Sequence, residues 1–139
     1  MTDGPGMDEQ RVKHLELLQS VIARLGNNSF LIKGWCITLS GVLVAVADRS
    51  PGASTIPLAL ALAVGFWLLD GYYLRQERLF RGLYERVVGD RDDAPPPFTM
   101  DAERYGGTVS WFAVLLSRPM LFCYGVLTAA NSLLLVFLG

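Results

Sequence analysis

Three runs of apolar residues organise the chain, and its charges collect between them. Residues 30–47 (FLIKGWCITLSGVLVAVA) and 55–74 (TIPLALALAVGFWLLDGYYL) flank the short turn DRSPGAS, and residues 119–138 follow later with no charge at all. A bilayer core about 30 Å thick is crossed by roughly 20 mostly apolar helical residues, with about 17 to 25 acceptable. Each run meets that length, so the pattern predicts an all-α integral membrane protein with three transmembrane helices. Ala45-Val46-Ala47 has the small-residue spacing of a leader cleavage site, but a long patterned region precedes it and Lys33 and Trp35 interrupt the apolar core. A permanent anchor is expected.

Outside these runs the pattern becomes amphipathic. From Asp8 to Leu25 the residues Val12, Leu15, Leu18, Ile22 and Leu25 recur at spacings of three or four, with Arg11, Lys13, Glu16 and Arg24 between them. This predicts an N-terminal amphipathic helix. Gly26-Asn27-Asn28-Ser29 then supplies stop and cap residues, which predicts a hinge before the first span. The second span behaves differently, because Leu69, Tyr73, Gln76, Phe80, Leu83 and Val87 keep alternate spacings of four and three beyond the membrane run. One helix of about residues 56–88 is therefore expected to leave the bilayer as a stalk, extending roughly 20 Å past Leu74 at about 1.5 Å per residue.

Distance from the turn sets depth in an antiparallel hairpin. Lys33 and Asp70, the only charged residues inside the first two apolar runs, sit equally far from the loop. They are expected to face each other, because an ionisable group in a membrane segment is costly unless it is paired, snorkels out or faces water. A structural clasp and a water-facing charge ring in an oligomeric pore both fit that position. The same counting sets Ala23 opposite Phe80 and Ser20 opposite Leu83, so the two amphipathic helices can bury each other's stripes. The N-terminal helix lying flat on the lipid surface is the alternative.

Residues 89–107 (GDRDDAPPPFTMDAERYGG) are expected to be an acidic, proline-rich linker that stops the long helix and discourages another. Residues 108–117 are apolar but too short to span and are expected to form an interfacial or re-entrant helix; Ser117 and Pro119 suit the start of the last span. The organisation is thus a helix with hairpin and stalk over 8–88, a linker over 89–107, and an interfacial helix with a third span over 108–139. Arg11, Lys13, Arg24, Lys33, Arg75, Arg78, Arg81, Arg86 and Arg91 lie on one side of the hairpin and Arg49 alone in its turn. The positive-inside rule puts the N-terminus and stalk in the cytoplasm and the C-terminus outside.

Composition adds support and removes chemistry. The 139 residues are 52% hydrophobic, too apolar for an ordinary soluble domain, and the net charge of −1 offers no basic patch for nucleic acid. Cys36 and Cys123 lie in apolar runs without metal or redox spacing and are expected to be buried hydrophobes. His14 is the single histidine, and Asp90, Asp92 and Asp93 sit in the linker as a solvated charge run. No phosphate loop, metal cluster or nucleophile motif occurs, so neither catalysis nor a cofactor is expected. In the last span Thr128, Asn131 and Ser132 cluster near Gly125, Ala129 and Ala130, as packing against the protein's own hairpin or as an oligomer interface or pore lining. Trp35, Trp67, Tyr72, Tyr73, Trp111 and Tyr124 are expected near the headgroups as depth markers.

The segments NNSFLIKGW (27–35) and FWLLDGYYLRQERLFRGLY (66–84), within a layout of helix, span, turn and a span continuing into a cytoplasmic helix, resemble small bacterial membrane proteins encoded beside anti-phage defence genes. The layout is similar to SLATT-type membrane effectors and to the membrane accessory proteins of RADAR-class systems, over about residues 8–88. The resemblance implies an oligomeric inner-membrane effector or accessory subunit, capable of forming a pore, whose cytoplasmic helices meet a protein partner. The third span and the proline-rich linker depart from a plain two-span effector. A passive membrane anchor and a regulatory subunit of a transporter are the alternatives.

Overall fold

The computed structural model describes residues 5–49, 55–89, 92 and 94–138. Most of the DRSPGAS turn, the N-terminal residues 1–4, and Asp90, Arg91 and Asp93 lie outside the described residues. Most of those described are helical, with no strand among them: α1 (Pro5–Arg49), α2 (Thr55–Val88), α3 (Ala102–Tyr105), α4 (Trp111–Leu115) and α5 (Arg118–Leu138). The helices α1 and α2 pack along each other as a long hairpin, and α3, α4 and the first part of α5 lie against it.

The hinge expected at Gly26-Asn27-Asn28-Ser29 is absent, because α1 runs unbroken through those residues. Glycine and asparagine cost a helix interior at most about 1 kcal/mol each. Packing offsets that cost: Gly26 lies against Glu77, and Ser29 and Ile32 are buried a turn later.

The hairpin has two unlike halves. Toward the joining turn it is apolar and bare, with Val42, Val46, Leu58, Leu60 and Val64 all exposed. Two segments, Asp8–Val46 and Pro57–Val88, contain stretches long and apolar enough to cross a membrane, of which only 17% and 11% is buried. The core helix of a soluble protein hides its apolar face, and exposed patches of this extent mark contact with a partner or a membrane. Away from the turn, the stalk has a closed core of Leu18, Leu79, Leu83, Val87 and Ala102, flanked by Leu15, Phe80, Tyr84, Tyr105 and Val109. The Arg11 guanidinium closes the end of α2, donating from Nε to Val87 O at 2.8 Å and from Nη2 to Val88 O at 2.7 Å and Gly89 O at 3.1 Å. A cation there satisfies free carbonyls and complements the helix dipole.

The proline-rich segment is a fitted strap rather than a plain linker. Asp101 caps α3 by accepting from Arg104 N at 3.1 Å. Ala102 enters the stalk core, and Gly106 comes so close to Gly82 and Leu79 O that neither glycine has room for a Cβ. Arg75 then holds the strap's end, donating to Val109 O and to Glu103, each at 3.1 Å. His14 is buried beneath this strap, with Nε2 donating to Thr99 O at 2.8 Å and its ring 6.0 Å from that of Phe98. Phe98 adopts a left-handed φ of 60°, uncommon for a large side chain, where the strap turns toward α3. As expected, α2 stops at Val88 and residues 94–101 are non-helical; the prolines and acids carry no cue to the strap's packing on the stalk.

Residues 111–115 form the short helix expected before the last span. The Ser117 side chain does not cap α5; its hydroxyl is buried without a hydrogen bond among the described residues, while its backbone carbonyl accepts from Leu121 N at 3.0 Å.

Candidate functional site

Asp70 is completely buried where the bare half of the hairpin meets the stalk. Two helices supply its partners. From α1, Lys33 Nζ approaches Oδ2 to 2.6 Å and also donates to Ser29 Oγ at 2.8 Å, and the Ser29 hydroxyl donates to Oδ1. From α5, the Tyr124 hydroxyl lies 3.2 Å from both Asp70 Oδ2 and Phe66 O, with one proton to share between them. Lys33 keeps about a quarter of its side chain exposed (27%), while Asp70 keeps none.

This node is built by helical spacing. Ser29 and Lys33 are i and i+4 on α1, so both polar groups meet one carboxylate, and Phe66 and Asp70 have the same relation on α2. Around the node lie buried Cys36, Leu115, Met120 and Tyr124, with Phe66, Trp67, Leu74, Cys123 and Leu127 packed against them. Gly71 lets Leu115 approach, because a Cβ there overlaps the Leu115 side chain. Trp67 Nε1 donates to Leu115 O at 3.2 Å, tying the end of α4 to α2. A buried carboxylate is tolerated only when paired and hydrogen-bonded, and here each oxygen has a partner. The contacts therefore join three helices at Asp70, whose side chain is fully buried.

The expected helix seam is met in part. Leu83 and Val87 are buried and Phe80 packs beside them, while Tyr73 and Gln76 are half-buried. Leu69 departs from the expected seam: it is 45% exposed, and the positions turned inward are Asp70 and Leu79. Asp70 follows the seam position Leu69 and Leu79 precedes the seam position Phe80, so the two depart from the seam in opposite directions; at Asp70 the reason is that a carboxylate left without partners costs far more than an exposed Leu69. Val12 is likewise exposed, its place on the inner face of α1 taken by His14.

Thr128, Asn131 and Ser132 do not join the node. Each bonds its own helix: Thr128 Oγ1 donates to Tyr124 O at 2.7 Å, Asn131 Nδ2 to Leu127 O at 3.0 Å and Ser132 Oγ to Thr128 O at 2.8 Å. Thr128 and Ser132 line an open groove with Trp67, Met120, Leu121, Tyr124, Gly125 and Ala129. Cys36 and Cys123 carry free thiols, the first buried and the second half-buried.

Ser29 and Tyr124 were missed as site residues. The Ser29–Lys33 spacing was a usable signal, because a hydroxyl one turn from an intramembrane lysine can share its acceptor. Tyr124 gave none: it is expected as a depth marker, and its buried hydroxyl meets Asp70 and Phe66 O on α2.

No protein-family model matches this chain, and neither do any curated protein or any solved structure.

Proposed function

We propose that this chain is a non-enzymatic bacterial inner-membrane subunit with three spans, in which the Asp70 node couples a cytoplasmic helical stalk to the membrane helices. The observation that carries the proposal is the continuity of α1 and α2 across the node, from a bare apolar half to a sealed polar-surfaced half, without a break in either helix. Two long helices with exposed apolar faces support the membrane location. The third span is α5, which carries no charge after Arg118. The arginines of the stalk support a cytoplasmic N-terminus and an outward C-terminus.

The biological role proposed is that of an effector or accessory subunit in a defence system, acting as a homo-oligomer and receiving a cytoplasmic protein partner on its stalk. Resemblance of residues 27–35 and 66–84 to such membrane proteins is its support. Passive anchoring is the competing role, favoured by one observation: the carboxylate is fully compensated within a single protomer, as a purely structural clasp requires. Exchanging the spans for unrelated ones while keeping residues 8–29 and 75–109 separates the two roles. An effector loses activity and an anchor keeps it. The topology is tested with reporters fused to each terminus, the C-terminal one active only outside the cytoplasm. Solute release from liposomes carrying the purified protein tests for a pore.

A further inference from the structure

We propose that α5 is a detachable span, latched to the hairpin by the Tyr124 hydroxyl, and that movement of α2 in the stalk releases it. The proposal rests on the membrane location given above. The fastening of α5 is local. Among the described residues of α5, the buried Met120 and Tyr124, with Cys123 and Leu127 beside them, lie in its first half. Alongside runs the open groove of about 500 Å³, and Phe122, Val126, Leu133, Val136 and Phe137 are exposed.

Among the described residues, Tyr124 makes the only side-chain hydrogen bonds from α5 to another helix. Those of Thr128, Asn131 and Ser132 stay within α5. In hydrocarbon the lipid tails solvate an apolar face as well as another helix does, so interhelical polar contacts and close packing decide docking. One such hydrogen bond shifts the docked fraction by roughly three- to twentyfold.

Both acceptors of Tyr124, Asp70 Oδ2 and Phe66 O, ride on α2. That helix is unbroken from there to the stalk core at Leu83, about 20 Å away. Turning the stalk end of α2 therefore carries the acceptors away from Tyr124. Release leaves no bare charge, because Lys33 and Ser29 on α1 still hold the carboxylate. A latch of this kind opens without the penalty that breaking the Lys33–Asp70 pair would bring.

Cys36 reports the state of the latch. It is 1% exposed, in one cluster with Leu115, Met120 and Tyr124. The full chain in proteoliposomes is labelled with N-ethylmaleimide and the rate at Cys36 followed by peptide mass spectrometry. Slow labelling is expected for the unmodified protein, and Tyr124→Phe should raise the rate three- to twentyfold. Leu83→Ala, which loosens the stalk, should raise the rate in the unmodified background but add nothing to Tyr124→Phe; Val87→Ala replaces it if that variant does not fold. An unchanged rate in Tyr124→Phe overturns the latch, and so does an unmodified protein that labels as fast as the denatured chain. Multiplying, independent effects overturn the relay from the stalk. Extraction by alkaline carbonate is followed in parallel: protein that washes off the vesicles refutes the membrane location itself, whatever the labelling rates.

Discussion

The same two helices are joined in opposite ways at the stalk and at the node. In the stalk, Leu18 meets Leu79, Leu83 and Val87, and the strap adds Ala102 to seal them. About 20 Å from Leu83 the contact is polar, with Lys33, Ser29 and Tyr124 converging on Asp70. On the membrane location proposed above, the difference follows from the surroundings. In water, hiding apolar area drives helices together at about 25 cal/mol per Å², and polar groups go to the outside. In lipid that drive vanishes and an unmet polar group is the larger penalty, so a buried charge cluster can hold helices that leucines cannot.

The sharpest way to break this contrast is to remove the charge at the node. Asp70→Ala leaves the Lys33 ammonium uncompensated and should cost about 3 to 5 kcal/mol, seen as early thermal unfolding in mild detergent. Exchanging the charges, Lys33→Asp with Asp70→Lys, should recover part of the loss, because the Ser29 and Tyr124 hydroxyls can accept from an ammonium as well as donate to a carboxylate. Additive effects of the two changes would argue against pairing.

Next in size is a matched pair of truncations. Leu83→Ala in the stalk should cost about 3 kcal/mol, through lost transfer energy plus a cavity. Met120→Ala, equally buried beside the node, should cost about half as much, since only packing contacts are lost where lipid replaces water. Equal losses in the same melting assay would erase the distinction between the two halves.

Smaller effects sharpen the ends of the comparison. Arg11→Ala should cost about 1 kcal/mol by freeing the carbonyls of Val87 and Val88, and hydrogen exchange should rise first in the last turn of α2. Asn131→Ala should change stability by less than about 0.5 kcal/mol, because its amide serves only its own helix. A large loss there, measured as a fall in oligomer mass, would instead assign Asn131 to contacts between copies.

Depth was legible because helical rise is constant. Counting from the turn paired Lys33 with Asp70, and the same counting brings Gln19 to Tyr84, whose hydroxyl accepts from it at 3.2 Å. Rotation was less legible. The repeat through Leu69 and Tyr73 predicts one inward face, yet Leu69 is exposed while Asp70 and Leu79, to either side of that face, are buried; at Asp70 the cost of an unpaired carboxylate outweighs that of an exposed leucine. The strap was least legible, since its hold depends on the absence of side chains at Gly82 and Gly106 and on a buried histidine under Thr99. None of these has a periodic signature.

Apolar run lengths, amphipathic repeats and equal spacing from a turn determined the helices, their antiparallel partnership and the meeting of Lys33 with Asp70, because those properties follow from chain geometry and local hydrophobicity. Tertiary structure decided that α1 runs straight through Gly26-Asn27-Asn28, that residues 94–109 close over the stalk, and that Tyr124 rather than Asn131 reaches the buried carboxylate. Each of those outcomes turns on which distant surfaces come into contact, and only packing in three dimensions can weigh a lost helix propensity or an unmet charge against the area and hydrogen bonds gained.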